Sequence, residues 1–287
     1  MTLAFRADRQ PSHPPPRPLV DLRNKLILFW MHRCGSTTGQ RWFFEIVGWK
    51  DRMSGKGAAE LSAMWHAEHR EAYKNLDELY RDPSFVKMAV VRHPLIRAVS
   101  AFTVITDTKS GAQWRAVANT LEAADPKRRL TFLEFLDFLE RQNLETANYH
   151  WRLQTAQDWH ERSLPNVRVA PLETIKTSLD NICRLLGKEP VPVRINSAQS
   201  TCRTDISSSE IVNFTRNDFA RAFGYDKRGV IRFPEYSKFL TTETTQRLIR
   251  LYERDFANLG YSPEVLPEQG RKGRFQRLLQ AIRLRSG

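Results

Sequence analysis

The sequence predicts an α/β protein with a parallel sheet flanked by helices. Three observations carry this. Lys25 to Trp30 and Phe85 to Val91 are short, nearly continuous apolar runs, and each passes through a polar loop into a helical segment. Val167 to Ala170 is a third run of strand composition. Strands covered on both faces read as unbroken apolar stretches rather than alternations, and repeated strand-loop-helix units build a layered sheet.

The elements follow in chain order. Residues 1–20 hold five of the fifteen prolines, including Pro14-Pro15-Pro16, and are expected to be an extended or disordered lead-in. A single domain is expected over 21–265, because 287 residues with 41% hydrophobic content suffice for one large core. The Lys25–Trp30 strand leads into a helix over Thr37 to Val47. The Phe85–Val91 strand runs into Arg92-His93-Pro94 and a second helix. Thr131-Phe-Leu-Glu134 is a capping-box sequence, after which Phe132, Phe135, Leu136 and Leu139 share one helical face. Ile175, Leu179, Ile182 and Leu186 repeat the pattern and stop at Gly187, a natural helix end. Leu248, Leu251, Tyr252, Phe256 and Leu259 form one more stripe on a helix starting near Thr242. Residues 266–287 change character: from Arg271 onward there are six basic residues and no acid, interleaved with Phe275, Leu278, Leu279, Ile282 and Leu284, which makes a basic amphipathic tail.

The chain carries a net charge of +13, and with the six tail charges set aside the remainder is still +7. An anionic partner follows, whether nucleic acid, a phosphorylated cofactor, an acidic polysaccharide or a membrane surface. Arginines outnumber lysines 33 to 12, and the guanidinium fork pairs bidentately with phosphate or sulfate. No helix-turn-helix, zinc-finger or RNP-type signature supports nucleic acid. Cys34, Cys183 and Cys202 are too few and scattered for a disulfide framework or a zinc site, so a reducing compartment is expected. The longest apolar run, Leu26 to Met31, is far short of the ~20 residues that span a bilayer. With no leader-like N-terminus, a soluble, cytoplasmic protein is expected, with peripheral membrane contact through 271–287.

The stretch from Leu26 to Phe43 is the most informative. A buried strand ends in a basic, Gly- and hydroxyl-bearing loop that opens a helix, an arrangement that turns backbone N–H groups and the positive helix end toward an anion. Arg33, Ser36, Thr37 and Thr38 can add hydrogen bonds. The form is P-loop-like, yet G-x-x-x-x-G-K-[ST] is absent. Arg92 at the end of the second strand, with Ser100 two turns into the next helix, can grip a second anionic group.

At this pair of loops the chain resembles the sulfotransferases that use 3′-phosphoadenosine-5′-phosphosulfate (PAPS), and more closely their carbohydrate-type branch, family 2. The family's first loop, roughly Pro-Lys-Thr/Ser-Gly-Ser/Thr-Thr, stands here as His32-Arg33-Cys34-Gly35-Ser36-Thr37. The second, Arg-Asp-Pro-x-x-Arg-x-x-Ser-Ala-Phe/Tyr, stands as Arg92-His93-Pro94-Leu95-Ile96-Arg97-Ala98-Val99-Ser100-Ala101-Phe102. Two weaker echoes follow in the family's order. Asn148-Tyr149-His150-Trp151-Arg152-Leu153-Gln154 is similar to the His-Trp-x-Pro-Gln segment, and Leu251 to Tyr261 to the closing Tyr-x-x-Asp-Phe-x-x-Phe-Gly-Tyr. Departures are Arg33 for lysine, His32 for proline, His93 for aspartate and Leu153 for proline.

The resemblance implies a sulfotransferase fold, PAPS as donor without a metal, and a hydroxyl-bearing acceptor, a glycan or glycolipid. It implies that Arg33, Cys34, Gly35, Ser36, Thr37 and Thr38 with Arg92 and Ser100 hold the donor, and that Arg33 and His150 are catalytic. Among the seven histidines, His66 and His69 fit a solvated helix surface better than a metal site. Acceptor contacts are expected within 50–80 and 103–165. A nucleotide-dependent phosphotransferase and a non-enzymatic anion- or membrane-binding protein are the alternative readings.

Overall fold

The computed structural model describes residues 16–107, 117, 120–121, 130–193, 201–202, 205–227 and 229–263, so the basic tail and residues 1–15 of the proline-rich lead-in lie outside the described residues. The central sheet has the order β1 (Leu19–Asp21), β2 (Leu26–Phe29), β3 (Val86–Val91), β4 (Val167–Pro171). β1 pairs antiparallel with β2, whereas β2 with β3 and β3 with β4 are parallel, Leu28 lying opposite Met88 and Met88 opposite Arg168. The helices are α1 (Ser36–Ile46), α2 (Ala58–Glu68), α3 (Leu76–Arg81), α4 (Pro94–Asp107), α5 (Phe132–Glu140), α6 (Asp158–Glu161), α7 (Ile175–Leu185), α8 (Ser208–Ile211), α9 (Arg216–Phe223), α10 (Thr242–Leu251) and α11 (Glu253–Leu259). A second, two-stranded parallel sheet joins β5 (Thr201–Cys202) to β6 (Phe233–Pro234).

The α/β class is borne out, and the unbroken apolar runs have the expected cause. Leu26, Leu28, Met88 and Val90 face one core with Trp42, Phe43, Leu61, Trp65 and Leu179. Ile27, Phe29, Ala89 and Val91 face the opposite core with Tyr73, Tyr80, Phe85 and Trp159. Alternate side chains thus enter different apolar layers, leaving no polar face on either strand. Gly39 lets α1 lie close on β3, since a Cβ there would sit 3.1 Å from Val90 Cγ2. A third core gathers Phe102 of α4 with Phe132 and Phe135 of α5, Phe219 of α9 and Leu248 of α10.

The Thr131 capping box is present: Thr131 Oγ1 accepts from the Glu134 N–H at 3.2 Å and Glu134 Oε2 accepts from the Thr131 N–H at 2.8 Å. Beyond α7, Gly187 takes φ +65°. Two expectations need correction. The stripe from Leu248 to Leu259 is two helices, because Tyr252 leaves helical geometry at φ −113°, ψ 23°. His66 and His69 are only half-solvated: a ring nitrogen of His66 lies 3.1 Å from the Pro18 carbonyl, and His69 stacks on Trp65 at 3.7 Å. Among the described residues no helix is long and apolar enough to cross a membrane.

Because β2, β3 and β4 are parallel, the loops that follow them emerge at one edge of the sheet, where open α/β sheets place their ligands.

Candidate functional site

The loop after β2 is shaped by two residues in the left-handed region, Arg33 at φ +69° and Gly35 at φ +76°. Between them the Cys34 N–H donates to the Met31 carbonyl at 3.2 Å and closes the turn. Gly35 then starts α1 with no side-chain cap, and the first turn carries no acid. The leading N–H groups of the helix therefore meet no competing carboxylate. A Cβ on Gly35 would overlap Leu172, in the turn after β4, so this position needs glycine for both conformation and space. Ser36 and Thr37 are half-buried and Thr38 is buried. Arg33 Nε is buried and has no hydrogen-bond partner among the described residues. Burial lowers the pKa of Arg33 from its ordinary value; nearby Tyr236 opposes that and Arg92 adds to it.

At the end of β3, Arg92 donates from Nη1 to the Arg33 carbonyl at 3.1 Å, and its guanidinium lies 5.6 Å from the centroid of the Tyr236 ring. The predicted pair of loops is thus in direct contact. Ser100 lies buried on α4. Arg97, 1% exposed, donates to the Arg152 carbonyl at 2.7 Å, the Tyr149 carbonyl at 3.2 Å and the His32 carbonyl at 3.4 Å. It stitches the first loop to the His150 segment, its donors spent on carbonyls within the protein.

Gln154 bolts the two loops together. Its Oε1 accepts from the Arg92 N–H at 2.8 Å and from the Cys34 thiol at 3.0 Å, while its Nε2 donates to the Arg92 carbonyl at 2.8 Å. Cys34 therefore has both its N–H and its thiol engaged within the protein; burial pushes the thiol up to about 11.

The closing segment clamps this assembly. Fully buried Asp255 accepts from the N–H groups of Gln154 at 2.9 Å and Thr155 at 3.0 Å, and from the Thr155 hydroxyl at 2.8 Å. The Tyr252 hydroxyl donates to the Trp151 carbonyl at 2.8 Å. The Tyr261 hydroxyl donates to Glu173 at 2.9 Å, and the other oxygen of Glu173 accepts from the His93 N–H at 2.9 Å. Tyr252, Asp255 and Tyr261 are each spent on holding a loop.

His150 is 8% exposed, and its ring lies 4.5 Å from that of His32, which in turn sits 4.4 Å from Tyr149. Burial, then the charges of Arg33 and Arg97, lower His32 to about 4, so its ring is neutral at pH 7. The structure brings Arg33 through Thr38, Arg92 and His150 to one edge of the sheet. Sequence reasoning missed Tyr236, which lies in no matched motif, and it matched Gln154 and Asp255 without seeing what they join.

A family model described as "Sulfotransferase family" matches residues 16–262, which takes in all four motifs and the elements between them. No curated protein and no solved structure matches the chain. With that span running from the first strand of the sheet to the segment that clamps its loops, the chain belongs to the sulfotransferase family.

Proposed function

We propose that the protein transfers a sulfuryl group from PAPS to a hydroxyl of a carbohydrate or glycoconjugate acceptor. One observation carries the donor: a half-buried arginine, Arg33, whose buried Nε has no partner among the described residues, stands in the loop that feeds the uncapped N-terminus of α1. A cation and a row of N–H groups with no acceptor between them fit an anionic phosphosulfate. Arg33, with the N–H and hydroxyl groups of Ser36, Thr37 and Thr38, serves the 5′-phosphosulfate; Arg92 and Ser100 serve the 3′-phosphate. Gly35 and Cys34 shape the loop. The acceptor class rests on the likeness of the His150-Trp151 and Tyr252–Tyr261 segments to the carbohydrate branch.

In the reaction the acceptor oxygen forms a bond to sulfur as the bond from sulfur to the 5′-phosphate oxygen breaks. Positive donors must meet the charge growing on that leaving oxygen, and Arg33 is placed for it. The hydroxyl proton passes to His150, and neutral His32 beside it adds no positive charge against the proton's arrival. Adenosine 3′,5′-bisphosphate departs.

Calorimetry in EDTA should show PAPS and adenosine 3′,5′-bisphosphate binding; binding of neither nucleotide would overturn the donor assignment. Arg33→Ala should lower kcat by on the order of 100-fold, as loss of an oxyanion donor does. Arg92→Ala should instead weaken nucleotide binding by roughly 1.5–3 kcal/mol, the value of a charge-assisted hydrogen bond. Transfer of ³⁵S from labelled PAPS onto glycans, glycolipids and phenols tests the acceptor class.

A further inference from the structure

Tyr236 opens the short helical turn Tyr236–Phe239 that follows β6. It is 2% exposed, and its hydroxyl has no hydrogen-bond partner among the described residues. Burying a hydroxyl unpaired loses its hydration and returns nothing, so a residue placed this way calls for a partner beyond the described residues. A phenylalanine would fill the same space without that loss. The turn that carries it is anchored in the aromatic core, where Phe239 lies 5.7 Å from Phe102 and 5.4 Å from Phe132.

The surroundings indicate what partner is missing. The Tyr236 hydroxyl is near enough to the Arg33 guanidinium to influence it electrostatically, and the Arg92 guanidinium lies over the Tyr236 ring. Arg33 Nε is itself buried without a partner. Two cations and one phenol thus meet, two of their donor groups, Arg33 Nε and the Tyr236 hydroxyl, have no partner among the described residues, and a group rich in acceptor oxygens would satisfy both. Resting on the PAPS reading above, we infer that the Tyr236 hydroxyl donates a hydrogen bond to an anionic oxygen of the donor nucleotide, bound between Arg33 and Arg92.

A neutral donor has a particular use here. Arg92 and Arg97 already disfavour the charge on Arg33, and a third cation would add to that repulsion, whereas a phenol supplies a hydrogen bond without charge. The ring face gives Arg92 a resting contact before the anion arrives.

The test is Tyr236→Phe, measured by calorimetry with adenosine 3′,5′-bisphosphate and by urea unfolding of the protein without nucleotide. The variant should bind the nucleotide about tenfold more weakly or worse, as expected for a lost bond to a charged group. Its stability without nucleotide should be equal or higher, because an unsatisfied hydroxyl has been removed. That combination separates a ligand contact from a structural role, in which affinity and stability would fall together. Unchanged affinity, or a joint fall, would overturn the inference while leaving the donor assignment standing. Failure of the unaltered protein to bind the nucleotide would overturn both. Repeating the titration with adenosine 5′-monophosphate and adenosine 3′-monophosphate identifies the phosphate concerned, since only the one that Tyr236 touches should lose affinity.

Discussion

His32 is held uncharged by its neighbours, and that has a thermodynamic signature. Burial is the larger cause and the Arg33 and Arg97 charges the smaller, together bringing the imidazole to about 4. In the unfolded chain the same ring takes up a proton near its ordinary value of about 6.5. The unfolded state therefore gains a proton first on acidification, and the stability contributed at this position is complete above that value. It should fall by about 2–3 kcal/mol as the pH drops from about 6.5 to 4. Urea unfolding across this range should show a shallower loss for His32→Gln than for the unaltered protein; parallel curves would refute the assignment. Cys34 shows the complementary point. Its place in a ligand loop suggests contact, yet its thiol is spent on Gln154. Residue type at a motif position says what a side chain can do, and the fold says whether it is available to do it.

Helix α11 acts as a clamp on loops that belong to distant elements. Asp255 serves two N–H groups and a hydroxyl of the Gln154-Thr155 segment, and Gln154 passes that constraint to Arg92 and Cys34. The break at Tyr252 is part of the device, because it separates α10, which packs Leu248 into the aromatic core, from α11. Replacing Asp255 by alanine strands several buried donors at about 1–3 kcal/mol each. Asp255→Ala should accordingly lose about 3 kcal/mol or more in denaturant melts, and its residual folded fraction should bind adenosine 3′,5′-bisphosphate more weakly. A loss below about 1 kcal/mol would show that the network is not carrying the loops. The apolar stripe across α10 and α11 was readable from spacing, but the break between them was not, since Tyr252 carries no glycine or proline to announce it.

Over the whole molecule, the described residues account for the sheet, three cores and the clamped loops, while the excess positive charge extends into residues 271–287 beyond them. The composition of that segment predicts a basic amphipathic helix that favours acidic lipid. Deleting residues 268–287 should leave PAPS binding intact and reduce sedimentation with anionic liposomes, an effect that added salt should weaken. Loss of PAPS binding would place the segment in the donor site instead. The three parallel strands β2, β3 and β4, the helix start at Thr131 and the loops after β2 and β3 were legible in the sequence because they depend on local rules: unbroken apolar runs, a capping pair, and glycine beside hydroxyls at a helix N-terminus; β1, β5 and β6 are too short to show such runs. Gln154 against Cys34, Asp255 against Thr155, and Tyr236 beside Arg33 and Arg92 join residues roughly 100 or more positions apart in most cases, and no spacing along the chain encodes such contacts. Only packing in three dimensions decides which buried polar groups find a partner and which, like Arg33 Nε and the Tyr236 hydroxyl, have none among the described residues.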